Sequence, residues 1–210
     1  MAKKQIAFYF DQNRCMGCDA CVVACKDWNN VNPGPAEWRR KYVEEDGSFP
    51  NLAIFNLVMS CNHCTNPACL KACPVGAIYK REEDGIVLVD RSLCINILAC
   101  KAACPFSAPQ FADDKSEPTK DTTWQVPHPM QKCTFCWDRL EDGLPPACVA
   151  SCPQRALDYG TVEEIFERYP NAQRTVVGFP DSTVGLYGSP LDEDTLPNIY
   201  FNPKIKPKIY

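Results

Sequence analysis

Fifteen cysteines fall into four short groups, and no other feature of the chain limits its fold so sharply. The first group is Cys15-x2-Cys18-x2-Cys21-x3-Cys25, and the second is Cys61-x2-Cys64-x4-Cys69-x3-Cys73-Pro74. The third is Cys94-x5-Cys100-x3-Cys104-Pro105, and the fourth is Cys133-x2-Cys136-x11-Cys148-x3-Cys152-Pro153. Together they use every cysteine of the 210 residues. So many cysteines suit either a disulfide framework or metal ligation. An odd count leaves one thiol unpaired, and Met1 to Phe8 carries charge without the apolar core of a secretory signal. Metal is the better reading.

The spacing C-x2-C-x2-C-x3-C-P is the bacterial ferredoxin run, whose fourth cysteine ligates the other cluster of a pair. Three close cysteines let a tight loop wrap one cubane. The fourth lies about one helical turn beyond the third and points to a neighbouring site, and the proline after it cannot continue the helix. A lone C-x-x-C also occurs in zinc ribbons. Four groups, three of them ending in x3-Cys-Pro, carry far more information.

Groups two and three are separated by about the length of a ferredoxin half. Between them, Ala77 to Lys80 and Ile86 to Val89 are short β-rich runs around a charged turn, a hairpin pattern. Groups one and four then pair with each other, nesting one unit inside the other. The predicted ligand sets are Cys15, Cys18, Cys21 and Cys152; Cys61, Cys64, Cys69 and Cys104; and Cys133, Cys136, Cys148 and Cys25. The remaining set is Cys94, Cys100 and Cys73. It lacks a fourth thiol because Ile97 stands where the run has its second cysteine. Such a site can lose one iron to give [3Fe-4S], take a non-thiolate ligand, or stay empty. Ile97 offers no donor and amide ligation by Asn96 would be unusual, so [3Fe-4S] is favoured, beside three [4Fe-4S] clusters. Cluster type and charge set the potential, so this centre would act as an electron well.

The expected fold is α+β: two nested bacterial-ferredoxin-like units with insertions and an extended C-terminal arm. Residues 1–30 plus 130–170 form one unit and 53–112 the other; 113–129 is an insertion and 171–210 a partner-docking arm. Strands are expected over Gln5 to Asp11, Ala53 to Met59 and Ala156 to Gly160, and helices over Asp19 to Asp27 and Pro67 to Cys73. Thr161-x-x-Glu164 has the form of a capping box opening a helix to about Arg168. Pro33 to Gly47 reads as a surface insertion. His63 reads as a loop residue or a donor to a ligand, and Lys132 and Arg139 as charges flanking the fourth group. Trp28, Trp38 and Trp137 read as packing or partner contacts.

A net charge of −4 offers no basic stripe for nucleic acid. No apolar run approaches the roughly 20 residues needed to span a bilayer, so membrane association is expected only through a partner. The expected location is the cytoplasm, or outside it after export in folded form with a signal-bearing partner.

The sequence resembles the iron–sulfur electron-transfer subunit of dimethyl sulfoxide reductase and its relatives. The resemblance lies in Cys15 to Asp27, Ser60-Cys-Asn-His-Cys through Cys73-Pro74, Tyr79 to Asp90, Cys100 to Gln110, Lys132 to Gly160 and Pro197 to Pro203. It implies a complex with a catalytic subunit holding a molybdenum or tungsten bis-pterin cofactor (molybdopterin), often with a membrane quinone-reactive anchor. It also implies the crosswise ligation given above. Ile97 departs from the dimethyl sulfoxide reductase subunit, which has cysteine there; other relatives lack that cysteine and hold [3Fe-4S].

Three functions compete: an electron relay without a substrate site, an enzyme using an open iron beside Ile97 as a Lewis acid, and a zinc-stabilised interaction module. A ferredoxin-type subunit of a different oxidoreductase is a variant of the first. Ile95, Ile97, Leu98 and Ala99 offer no groups to hold a polar substrate, which disfavours the second. Replacing Ile97 with Cys is expected to exchange a [3Fe-4S] signal in oxidised protein for a [4Fe-4S] signal in reduced protein. Unchanged spectra would refute this account of the third group.

Overall fold

The computed structural model describes residues 4–117 and 123–205. Its strands are β1 (Ile6–Asp11), β2 (Arg40–Asp46), β3 (Ala53–Met59), β4 (Ile78–Lys80), β5 (Val87–Val89), β6 (Leu157–Thr161) and β7 (Ile199–Asn202). Its α-helices are α1 (Ala20–Trp28), α2 (Ala68–Lys71), α3 (Ala99–Ala102), α4 (Trp137–Glu141), α5 (Ala147–Ala150) and α6 (Val162–Arg168). Most helices are a single turn, because each is the short bridge between two cysteines or the exit from one. α2 stops at Lys71, short of the expected Cys73.

A three-stranded sheet in the order β6-β1-β7 anchors the chain. β1 is apolar on both faces, with Ala7, Phe8, Tyr9 and Phe10 all buried, so it takes the central place. Its Phe8 faces Tyr159 in the antiparallel pairing with β6 and Ile199 in the parallel pairing with β7. One face packs Phe8 on Phe135 with ring centroids 4.0 Å apart, toward the cysteines. The other face packs Tyr9 on Tyr169 under α6. The β4–β5 hairpin forms as expected from the alternation around its charged turn. Around the cysteines, α1 packs on α5 and α2 on α3.

Two expectations need correction. Pro33 to Gly47 is not merely a surface insertion: it contains β2, which pairs along its length with β3. The strand Arg-Lys-Tyr-Val-Glu-Glu-Asp is mostly exposed and has no apolar alternation to announce it. The span beyond residue 171, expected as an extended docking arm, also enters the core. Ile199, Tyr200 and Phe201 are buried in β7, and Val176 joins the main apolar cluster. The final positions of the predicted arm, 206–210, lie outside the described residues, as do 118–122 of the predicted insertion.

α6 starts with the capping box read from the sequence. The Glu164 N–H donates to Thr161 Oγ1 at 3.2 Å, and the Thr161 N–H donates to Glu164 Oε2 at 2.9 Å. Thr161→Ala removes the first of these bonds and is expected to cost about 1 kcal/mol. Denaturant unfolding monitored by circular dichroism measures it; an unshifted midpoint would show that the cap contributes nothing.

Candidate metal centres

The four cysteine loops share one backbone device. Two residues after each group's first cysteine, Gly17, His63, Asn96 and Phe135 all have left-handed backbone angles, with φ of 73°, 43°, 56° and 61°. Three residues after the terminal cysteines of groups two, three and four, Gly76, Ser107 and Arg155 are left-handed as well. For a residue other than glycine this conformation costs roughly 1–2 kcal/mol, so its repetition marks a shape that the surroundings enforce. Left-handed turns curl each loop and bring amide N–H groups to sulfur. Ala156 N–H donates to Cys152 Sγ at 3.2 Å, Phe135 N–H to Cys133 Sγ at 3.4 Å and Met130 N–H to Cys94 Sγ at 3.4 Å. At Gly17 even a methyl group would meet Asn56 Oδ1 at 2.8 Å, and the Asn56 amide donates to the Cys15 carbonyl at 3.1 Å. β3 thus fixes the first loop.

The loops enclose voids lined by thiols. Cys15, Cys18, Cys21 and Cys152 line one, with Phe10, Val58 and Leu157. Cys61, Cys64, Cys69 and Cys104 line a second, with Asn62, Phe106 and Thr195. Cys73, Cys94 and Cys100 line a third, with Val75, Ile95, Asn96, Ile97, Leu98, Phe111 and Met130. Cys25, Cys133, Cys136 and Cys148 form a fourth association: the thiols whose charge acts on Cys25 are Cys133, Cys148 and Cys136. All fifteen thiols are free rather than disulfide-bonded. Among the described residues, no three His, Cys, Asp or Glu side chains converge tightly enough to hold a single ion. Thiols standing around a void suit a polynuclear cluster better than zinc, which draws its ligands in to about 2.3 Å.

Ile97 occupies the same backbone frame as Cys18. Asn96 and Leu98 flank it at φ 56° and 63°, as Gly17 and Asp19 flank Cys18 at 73° and 62°. Leu98 immediately precedes α3 as Asp19 immediately precedes α1. The wrapping is the same, the side chain offers no donor atom, and Ile97 is 61% exposed.

Neighbouring residues connect the four thiol sets. Cys148 acts on Cys21, linking the first set to the Cys133 set, and Cys61 acts on Cys133, linking that set to the second. Cys69 shares an apolar cluster with Cys94 and Cys100, which links the second set to the three-thiol site. Burial, reinforced by neighbouring thiols, raises Cys100 to about 11 and Cys133 to about 12. Burial likewise raises Cys21 to about 11, although Arg39 works against it. Cys25, Cys64 and Cys69 are raised too, by burial first and then by neighbouring thiols. A thiolate is the ligating form, so ligation here must displace protons that the interior holds firmly.

Several donors around these voids lack partners. Arg39 Nη1, Asn62 Nδ2 and His63 Nε2 are buried and unbonded. His63 is fully buried, and its Nδ1 accepts from the Val87 N–H at 3.0 Å, which places its proton on the orphaned Nε2. Such donors are costly to bury without an acceptor, and inorganic sulfide is the acceptor that fits this donor set. Lys132, also buried, donates to the carbonyls of Val87 and Cys133 and lowers the pKa of nearby Cys69 against the effect of burial. Arg139 turns away to the Pro145 carbonyl and the Trp28 ring. The Trp28 and Trp38 N–H groups donate to Asp138 and Gln131 within the protein.

The sequence reading missed two residues of this region. Arg39 is buried among the cysteines. Asn198, placed in the arm, donates its side-chain amide to the His63 carbonyl at 2.8 Å, while its backbone N–H donates to the Asn62 carbonyl at 3.0 Å. Neither stands out from its neighbours in composition.

Comparison with known proteins agrees with this geometry. A family profile described as a 4Fe-4S dicluster domain matches residues 52–162. A component of the anaerobic dimethyl sulfoxide reductase of Escherichia coli is 40% identical over 173 residues, covering 79% of this chain and 78% of its own. A subunit of the sulfite dehydrogenase of Allochromatium vinosum is 37% identical over 180 residues, covering 76% and 70%. The beta subunit of the perchlorate reductase of Dechloromonas aromatica is 31% identical over 232 residues, covering 77% and 66%.

Asn198→Ala removes the 2.8 Å donor to the buried His63 carbonyl and leaves it only the longer bond from Gln5 Nε2 at 3.5 Å. It is expected to destabilise the folded chain by about 1–3 kcal/mol and to speed amide exchange in the loop from Asn62 to Thr65 beyond that in the other cysteine loops. Equal exchange in all four loops would show that β7 does not hold this one.

Proposed function

Because the chain belongs to the family of iron–sulfur electron-transfer subunits of dimethyl sulfoxide reductase and its relatives, we propose that it is a relay with no substrate site of its own. It would pass electrons between a catalytic subunit holding a molybdenum or tungsten bis-pterin cofactor and a quinone-reactive or other redox partner. The observation that carries this reading is the row of four thiol-lined sites, each next to another and enclosed by the same left-handed loop.

In this reading Cys15, Cys18, Cys21 and Cys152 hold one [4Fe-4S] cluster; Cys25, Cys133, Cys136 and Cys148 a second; and Cys61, Cys64, Cys69 and Cys104 a third. Cys73, Cys94 and Cys100 hold a [3Fe-4S] cluster beside Ile97. The clusters supply one-electron storage at each site. The residues fix position, exclude water and offset charge. Amide N–H groups donate to sulfur, and the apolar side chains of Phe10, Phe106, Phe111 and Met130 keep the interior dry. The antiparallel β1–β6 pairing and the packing of α1 on α5 support one ferredoxin-like unit. The β4–β5 hairpin and the packing of α2 on α3 support another nested within it.

The Lewis-acid alternative loses ground at the three-thiol site. Asn96 is its one polar lining side chain apart from the thiols, and a single amide is a poor grip for a polar substrate. Among the described residues no helix is long and apolar enough to cross a membrane; a membrane anchor, in this proposal, is a separate subunit. The arm from 171 onward docks a partner with surfaces outside β7, and the protein works in the cytoplasm or travels folded with a signal-bearing partner.

Anaerobic purification of the native complex tests the relay. The expected outcome is brown protein with about 15 irons on this chain, with one [3Fe-4S] and three [4Fe-4S] signals by electron paramagnetic resonance. Colourless protein, or zinc in place of iron, would end the proposal.

A further inference from the structure

Arg39 is a buried cation without a carboxylate. It sits just before β2, is 2% exposed, and lies over the Phe8 ring at 5.0 Å. Its Nη2 donates to Ser60 Oγ at 3.2 Å, and its Nη1 has no partner. Among the described residues no Asp or Glu forms an ion pair with it. An uncompensated buried charge costs several kcal/mol, so its countercharge must come from elsewhere.

The groups that answer it are thiols from two adjacent sites. Cys148, Cys133 and Cys25 belong to one predicted set and Cys21 to its neighbour. Packing leads the same way: Phe8, which Arg39 overlies, stacks on Phe135 at 4.0 Å, and Phe135 directly precedes Cys136. A guanidinium stays charged at any pH the fold survives. Each one-electron reduction adds a negative charge at a cluster, and a fixed cation nearby stabilises that added charge more than the oxidised form. Cluster potentials depend on this local charge and on hydrogen bonds to sulfur.

We propose that Arg39 is the shared counter-ion of the cluster held by Cys25, Cys133, Cys136 and Cys148 and the cluster held by Cys15, Cys18, Cys21 and Cys152, raising the reduction potential of both. It is a positioning charge rather than a ligand, and this inference rests on the relay reading above. Three of its four thiol neighbours belong to the Cys133 set, so the larger effect falls there. The second set is reached only through the neutral Ser60 hydroxyl, which directly precedes Cys61, and so feels the charge less.

A redox titration of the intact complex, followed by electron paramagnetic resonance, tests this. Signals are assigned with Cys18→Ser and Cys136→Ser forms. Arg39→Gln is expected to weaken reduction at the Cys133 set about tenfold at a fixed ambient potential, about 59 mV downward for one electron. Smaller downward shifts are expected at the Cys15 set and, through Ser60, at the Cys61 set, and none at the three-thiol site. Arg39→Lys moves the charge without removing it and is expected to give smaller shifts in the same order. That variant decides the matter if the glutamine form does not take up iron. Unchanged potentials at both sites, or one equal shift at all four, would overturn the proposal. Wild-type complex with fewer than four clusters would instead undo the relay reading itself.

Discussion

Fifteen thiols in one small interior set the condition that everything else in the molecule must meet. Most are buried, and burial pushes thiols such as Cys21, Cys104 and Cys133 up to about 11 or 12. A thiol that holds its proton so firmly is a poor ligand until something offsets the charge of the thiolate. In the proposed relay metal would do this at each site, and the protein adds Arg39 and Lys132 from inside and amide N–H groups from the loops. The apolar residues around the sites work in the same direction. Phe8, Phe135 and Leu157 exclude water, and in its absence a fixed charge or dipole acts more strongly.

The same device holds each site although the spacings differ. Group two has four residues where group one has two between its second and third cysteines, and group four has eleven. Those insertions fall after the first turn has been made. The left-handed residue two places past the first cysteine is common to all four, and it is glycine only once. His63, Asn96 and Phe135 accept the strain because each is held. His63 has Val87 and Asn198, Phe135 has Phe8, and Asn96 is followed by the start of α3. Loop conformation therefore depends on the sheet and hairpin behind it, and this is why an iron–sulfur chain of this length carries seven strands among its described residues.

Sequence made the local features legible and hid the long-range ones. β1 and β3 appear as apolar runs, the β4–β5 hairpin as alternation around charges, and the α6 cap as Thr161-x-x-Glu164. The thiols that line each void share a side through intervals that repeat along the chain. β2 was invisible because its side chains mostly face solvent, so period-two alternation never develops. β7 was hidden for a different reason: its partner, β1, lies nearly the whole chain away and runs parallel to it, a pairing that no local pattern encodes. Arg39 sits in Trp-Arg-Arg-Lys, where nothing marks one cation for full burial and the next two for partial burial. Its position depends on β2 pairing with β3, so missing the strand meant missing the charge.

The row of sites is also graded in exposure, and that gradation bears on direction of use rather than on binding. Cys18 is exposed at one end, with Met16 and Val23 more than half exposed beside it, and Ile97 is exposed at the other. The two middle sets consist entirely of buried thiols. An isolated pair of clusters would have no need to keep its central members from solvent while bringing its outer ones to the surface. A relay does, because electrons must enter and leave at the ends and be protected from side reactions between them. In the proposed relay Arg39 stands near both an end site and a middle site, where an electron passes between surface and interior. A cation there would stabilise added charge on both sides of the step, so the transfer would not depend on the solvent that the interior excludes.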